Sequence, residues 1–572
     1  MVADILSFLK PDEQAALMQE DEKSQSEPEE KKQKPSQTDI LLSVIEHCHL
    51  FHDELQEPYA QIKVHKHYEV WPIRSSTFKR WLVGRYYKLT GKGCNTDSVN
   101  QALNVADAKA LFDGARVPLF LRCAERDGAF WYDLANDKWQ AVKVTPDGWE
   151  VITSPSLFRR FANTAAQVTP VTNGNMQALR PFVNLTNEDD FNLLLVYIVS
   201  CLVPDVPKVL LPLSGEKGAS KSTMLKILRR LVDPAQKELQ SLPNDQKELP
   251  LTLYKNYMPA FDNLSNLHEW QSDALCCAAT GGGISKRKLY TDDEEVILSF
   301  LRCVTLDGIN MVATKPDLLD RSISFELERI SEEDRKTERQ FWADFMKARP
   351  VIVGGMFDVL SKAMTIYPTV KLDNLPRMAD FCQWGYAIAE AMGWAGTNFL
   401  QAYYKNIGRA NDEAIRNSPV AAAVMAFIRE QGYWQGSSAE LLNKIADIAY
   451  KERIDTYSKS WPKSAEVLTK RLKHYKSNFI DAGFECLMDR DAHTKKTVIT
   501  FQQVTEKRSA SSACSAKPDN TSLFDAERVR SENEICGALK NVDPQEESSN
   551  DKGLRIGGAC GANIPTFLDE VI

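Results

Sequence analysis

The chain has 572 residues, which at roughly 100–200 residues per domain predicts three or four domains. It is 43% hydrophobic and 26% charged, with Gly and Pro each near 5%, which excludes collagen-like and wholly disordered classes. The net charge of −8 argues by its sum against a nucleic-acid partner, but residues 1–38 carry 5 basic and 9 acidic residues and residues 505–572 carry 8 and 12, leaving 57 of each sign between them.

Residues 1–38 hold a short apolar stretch and then a charged run, EDEKSQSEPEEKKQKPSQT, read as a flexible acidic segment. Residues 39–180 read as an α+β domain. A helix is expected from Ile40 to His49, a strand over Tyr59–Val64, and a basic amphipathic helix from Thr77 to Leu89. A further helix spans Val99 to Phe112, with Ser98 as its N-cap, and three strands follow near Leu119–Ala124, Ala129–Asp133 and Trp139–Val144. Five of the eight histidines fall between His47 and His67, but their spacing fits no zinc pattern. None of the twelve cysteines forms a C-x-x-C pair.

Residues 181–335 alternate short apolar runs with helices, as an α/β nucleotide-binding domain requires. An apolar strand, Val209–Leu213, runs into Gly215–Glu216–Lys217–Gly218–Ala219–Ser220–Lys221–Ser222–Thr223 and then an amphipathic helix. This is the phosphate-loop pattern G-x-x-x-x-G-K-[ST], with Ser220 where the second glycine is usual. Gly215 and Gly218 let backbone N–H groups curl round phosphate oxygens. Lys221 is expected to reach the β- and γ-phosphates of ATP, and Ser222 to hold Mg2+. Ser220 is acceptable there if its backbone is not left-handed. The alternative is a chance loop.

Downstream, Asp262 ends the apolar stretch Tyr257–Asp262 and is the second expected Mg2+ partner. Asn263 follows it; an amide can orient a water but cannot take its proton, so the general base is unassigned. Thr280–Gly281–Gly282–Gly283 then leads into Lys286, Arg287, Lys288 and Tyr290 and an acidic turn, a hairpin pattern suited to phosphates and to stacking on a base. A solvated charged turn is the plain alternative. Asp307 ends a further strand at a sensor position. Arg321 precedes the next strand, where it either completes a neighbour's ATP site or pairs with Asp317 or Asp320.

In this order the segments GEKGASKST, FDNLS, TGGGISKRKLYTDDEEV, LDGI and KPDLLDR resemble the superfamily 3 helicases, the AAA+ branch of phages, DNA viruses and integrative elements. The resemblance implies a P-loop AAA+ core and an ATP hydrolase acting as a DNA helicase or translocase in replication of a mobile element or prophage. It also implies a subunit ring, with a hexamer as the expected number, and single-stranded or forked DNA as partner. A primase or other replication protein is a further candidate partner. Catalytic roles then fall on Lys221, Asp262, Asn263, Asp307 and Arg321. Ser220, Asn263 and Asp307 depart from the family pattern. A non-translocating AAA+ switch, gated by nucleotide, is the rival.

Residues 336–418 read as a helical domain. Residues 419–504 read as a winged helix: helices, then strands near 483–488 and 496–501. A helix from Ala465 to Phe479, N-capped by Ser464, turns Leu468 and Leu472 inward and carries Lys470, Arg471, Lys473 and Lys476 as DNA contacts. Residues 451–500 hold 11 basic and 7 acidic residues; the alternative is a solvated basic face. Residues 505–572 read as a disordered acidic tail. No apolar run approaches the ~18 residues of a membrane span and the opening residues are not a secretory signal, so the expected location is cytoplasmic.

Overall fold

The computed structural model describes residues 35–155, 158–287, 295–308, 315–331, 337–373, 375–458, 460–490 and 497–504. The acidic tail at 505–572 and residues 1–34 lie outside that set. Residues 36–38, expected in the flexible segment, begin the first helix, α1 (Gln37–Ile45). Ser36 caps it: its Oγ accepts from the Asp39 N–H at 3.2 Å, and Asp39 accepts from the Ser36 N–H at 2.9 Å.

The first layer pairs β1 (His49–His52), β2 (Pro58–Val64), β3 (His67–Pro72) and β4 (Ala115–Arg116) in the order β3-β2-β1-β4. Two helices, α2 (Ser76–Thr90) and α3 (Thr96–Ala108), complete it. The helix expected to run to His49 stops at Ile45, because His49–His52 is taken by antiparallel pairing with β2. There Phe51 sits opposite Tyr59 and the two rings stack at 5.8 Å. The N-cap of α3 is Asn95, one turn before the expected Ser98; its side chain accepts from the Ser98 N–H at 2.7 Å. The helix also ends at Ala108 rather than Phe112, passing into a π-helical turn at Lys109–Asp113.

A meander follows: β5 (Cys123–Arg126), β6 (Ala129–Asp133), β7 (Gln140–Thr145) and β8 (Gly148–Thr153), each antiparallel to the next. Its Phe130, Tyr132, Val142 and Val144 join one buried cluster with helices of the central region, not with the first layer. Chain 171–175 crosses a long helix of that region closely; at Gly354 an added Cβ would lie 1.8 Å from the Val171 carbonyl oxygen.

The central region runs α4 (Glu188–Ser200), β9 (Leu211–Gly215), α5 (Lys221–Val232), α6 (Glu248–Lys255), β10 (Ala260–Leu264), α7 (Glu269–Thr280) and the hairpin β11 (Gly283–Arg287) and β12 (Glu295–Ser299). Then come β13 (Thr305–Gly308), α8 (Pro316–Leu319) and β14 (Phe325–Leu327). Four strands form a parallel sheet in the order β10-β13-β9-β14, and an isolated parallel bridge, Gln240 to Phe261, extends it beyond β10. The loop after β9 therefore lies where the strand order reverses, the crevice in which open α/β sheets bind ligands.

Three long helices follow: α9 (Glu338–Ile366), α10 (Ala379–Met392) and α11 (Gly396–Asn417). The last described module is α12 (Pro419–Gln431), β15 (Trp434–Ser437), α13 (Ser438–Lys451), α14 (Ala465–His474), α15 (Lys476–Asp481), β16 (Phe484–Arg490) and β17 (Thr497–Gln503). Its sheet has the order β15-β17-β16, antiparallel throughout. The helix expected from Ala465 to Phe479 is two helices broken at Tyr475, since Asn478 and Phe479 turn inward. Asn478 donates to Asn411 of α11 at 2.9 Å, and Phe479 meets Phe501 edge-on at 5.8 Å.

A buried ion cluster ties these layers together. Asp233, at the end of α5, accepts from Arg122 Nε at 2.9 Å and pairs with Arg229 at 3.0 Å. It also accepts from the backbone N–H groups of Tyr257 and Met258. Burial works to raise its pKa, but Arg229 and Arg122 outweigh burial and hold the carboxyl below its ordinary range. Such a group stabilises the fold above its unfolded pKa, and that contribution fades as pH falls through the folded value. Asp233→Ala would leave two buried guanidinium groups uncompensated. The expected loss is about 3–5 kcal/mol, read as a lower urea midpoint at neutral pH.

Candidate functional site

The loop from Gly215 to Ser220 links the carboxyl end of β9 to the start of α5. Gly215 has φ +142°, and a Cβ there would lie 2.3 Å from the Leu327 carbonyl oxygen of β14. Only glycine lets the two strands meet at that point. Glu216, Lys217 and Gly218 form the exposed tip, Ala219 is buried, and Ser220, Lys221, Ser222 and Thr223 are half-buried. Ser220 is left-handed, at φ 64° and ψ 26°. The condition placed on it from sequence is thus not met: the turn demands a glycine-like angle, and serine adopts it at a cost of about 1–2 kcal/mol. No side chain caps α5, so its first-turn N–H groups are left for another acceptor.

Lys221 folds back on the loop, its Nζ donating to the carbonyls of Gly215 at 2.7 Å and Glu216 at 3.0 Å. Ser222 Oγ donates to Asp262 Oδ1 at 2.7 Å. That contact brings together the two expected Mg2+ partners, forty residues apart in sequence. Asn263 is exposed and left-handed at φ 61°, and its N–H donates to Asp307 Oδ1 across the β10–β13 boundary. Asp307 is only 1% exposed. Burial, reinforced by the charge of Asp262, pushes its carboxyl up to about 7, against the pull of the Asn263 N–H and Lys221. A cavity of about 530 Å³ opens beside Asp262 and Asn263, lined by Gln240, Asn244, Asn266 and His268 among others. This amide-rich wall was not singled out from sequence, because its residues come from two separate segments, 237–244 and 262–271.

Arg321 does not join this group. It pairs with Asp317 at 2.5 Å, and Arg377 binds Asp317 and Asp320. Its carbonyl accepts from the Leu210 N–H, at the amino end of β9, whereas the phosphate-type loop lies at the carboxyl end. Five strand residues at ~3.3 Å each separate the two ends. Buried Asn406 of α11 holds the turn after Arg321, donating to the Ser324 carbonyl at 2.8 Å and accepting from its N–H at 2.9 Å.

Of the expected DNA contacts, Lys286 and Arg287 lie on β11, whose register with β12 pairs Gly283 with Ser299 and Arg287 with Glu295. Their side chains, and Lys288 and Tyr290 entirely, lie outside the described residues. Lys470 and Lys473 are exposed on α14, Arg471 is half-buried, and Lys476 opens α15 rather than continuing the first helix. Leu468 and Leu472 are fully buried beneath them.

Two family models match the sequence. Residues 176–413 match the Actinomycete integrative conjugative element replication protein, and residues 420–516 match the AICE RepA C-terminal domain. Over these segments the chain is similar to mobile-element replication proteins. No curated protein matches it. Among solved structures, the apo C-terminal region of NrS-1 aligns at 10% identity and TM-score 0.36, covering 82% of this chain and 100% of that one. JCV helicase aligns at 12% identity and TM-score 0.20, covering 37% of this chain and 68% of that one. TM-scores this low do not establish a common fold. Among the described residues no helix is long and apolar enough to cross a membrane.

Two measurements probe the geometry. Ser220→Gly should raise stability by about 1 kcal/mol, seen as a higher urea midpoint, because glycine carries no penalty at that angle. For Asp307, a raised folded pKa means that the fold binds a proton the unfolded chain releases between about pH 4 and 7, so its contribution to stability declines as pH rises through that window. Asp307→Asn should flatten that decline when urea midpoints are compared at acid and neutral pH.

Proposed function

We propose that this chain is an ATP-dependent DNA helicase or translocase serving replication of an integrative element, with a P-loop AAA+ core of superfamily 3 type. The observation that carries the reading is the 2.7 Å contact between Ser222 and Asp262 beside Lys221, at the sheet's switch point. A hydroxyl and a carboxylate are the hard oxygen donors that suit Mg2+, and open N–H groups at a helix start suit phosphate. Bound Mg-ATP would supply the phosphoanhydride bond to be cleaved. Gly215–Thr223 would cradle its phosphates, Lys221 would leave the loop carbonyls to meet them, and Ser222 and Asp262 would hold the metal. Asp307 would fix the backbone of Asn263 facing the amide-lined cavity.

The arginine supports a ring. Arg321 lies at the opposite end of β9 from the loop, where it would serve a neighbour's nucleotide rather than its own, and a closed ring gives every subunit such a neighbour. A hexamer is the proposed number. The C-terminal order helix, strand, three helices, two strands supports a winged-helix reading, in which α14 would present Lys470 and Lys473 to a DNA groove. With the β11–β12 hairpin on single-stranded or forked DNA, hydrolysis would drive movement along the strand.

A non-translocating AAA+ switch is the second reading. It is favoured by Asn263, which cannot act as a base, and by the pairing of Arg321 with Asp317 in the single chain. DNA-stimulated ATPase separates the two: stimulation together with strand separation supports the helicase, and nucleotide binding without either supports the switch. Lys221→Ala should abolish ATPase, and full activity in that variant would sink both readings. Arg321→Ala should keep nucleotide binding and lose about 10³-fold or more in kcat, as expected of an arginine finger. Mixing it with Lys221→Ala subunits should restore part of that activity if the arginine acts between subunits.

A further inference from the structure

The C-terminal module buries Phe427, Phe479, Phe484 and Phe501 in its core, with Trp434, Trp461 and Tyr475 partly buried against it. Tyr433 is 58% exposed, and two further tyrosines are more exposed still. Tyr450, in the last turn of α13, is 88% exposed, and Tyr457, in the loop from α13 to α14, is 98% exposed. Asp455 accepts from the Tyr457 N–H at 2.8 Å, a local turn that holds the backbone at the second tyrosine.

Lys451 and Arg453 lie between these tyrosines in sequence and Lys463 follows them; all three are exposed, and none forms an ion pair among the described residues. Glu452 and Asp455 are the acids of the same stretch, and Asp455 already serves the turn. The loop leads directly into α14, with its own exposed Lys470 and Lys473.

We propose that Tyr450 and Tyr457, with Lys451, Arg453 and Lys463, form a stacking face for single-stranded DNA beside α14. This rests on the reading that the module binds DNA, and it names what the α13–α14 loop adds. Exposed cations close in sequence to exposed rings match a polyanion whose bases are free to stack; a protein partner would call for apolar cover without that surplus of charge. A duplex hides its base faces within the stack, so the rings select unpaired strands. The cations alone would act on either form.

The test uses the full chain and fluorescence anisotropy with a labelled oligothymidylate and a labelled blunt duplex. Tyr450→Ala/Tyr457→Ala should weaken oligothymidylate binding by about tenfold or more, leave duplex binding within about twofold, and leave the melting temperature unchanged. Tyr450→Phe/Tyr457→Phe, which keeps the rings, should bind as the wild type does. Unchanged oligothymidylate binding in the alanine variant overturns the proposal. So does an equal loss on both DNAs, which would make the face a phosphate contact, and so does a change only in oligomer size, which would assign it to a second copy of the chain. Lys470→Ala/Lys473→Ala, measured in parallel, separates the two ideas. If duplex binding ignores that change while the tyrosine variant still loses the single strand, the role of α14 falls and the stacking face stands.

Discussion

Asp233 closes the helix that begins at Lys221, and its carboxylate lies between Arg122 and Arg229 while accepting two backbone N–H groups from the approach to β10. One residue thus fixes three things: the far end of the loop helix, the start of the strand that carries Asp262, and the meander through Arg122. The contact between Ser222 and Asp262 is the visible result. A helix held at its end and a strand held at its start bring a hydroxyl and a carboxylate to 2.7 Å. The cluster works because each charge faces an opposite one, although Arg229 Nε is buried without a hydrogen-bond partner. Each charge would be costly alone, and together they share hydrogen bonds with the Met258 carbonyl, the Pro234 carbonyl and the Asn256 side chain.

Two other buried cations are compensated differently. Lys208 donates to the carbonyls of Ser200 and Val203 at the end of α4. Arg302 donates to the carbonyls of Leu253 and Tyr254 at the end of α6. A helix carboxyl end carries partial negative charge and unpaired carbonyls, so a guanidinium or ammonium satisfies both. Lys208 and Arg302 both line a cavity of about 530 Å³, and Arg302 lies three residues past the end of β12. The base of the hairpin is therefore anchored to the body of the fold.

The legible part of the sequence was the part written locally. The glycine-bearing loop, Lys221, Ser222, Asp262 and the inward faces of Leu468 and Leu472 follow from spacing, and the structure brings Ser222 and Asp262 together. The misread places have physical causes. His49, read as the end of the first helix, opens the strand His49–His52, a short segment without periodicity of its own that pairing with Pro58–Gln61 decides. The break at Tyr475 comes from Asn478 reaching a partner sixty-seven residues away. The left-handed angle at Ser220 is set by the loop and not by the serine. Asp233, Arg122 and Asn406 carried no motif at all, because what they do is defined by partners far away in the chain.

Two of the asparagines of α11 have a mechanical meaning. Asn406 grips the turn after Arg321, and Asn411 donates to Asp481 of the C-terminal module at 2.6 Å. They are five residues apart on one rigid helix, about 7.5 Å along its axis. The helix is a strut pinned at both points: the module cannot shift along α11 without breaking the Asn411 pin, and α11 cannot turn without dragging the backbone beside Arg321. Slack between the C-terminal module and the arginine is therefore limited to what two side-chain amides allow.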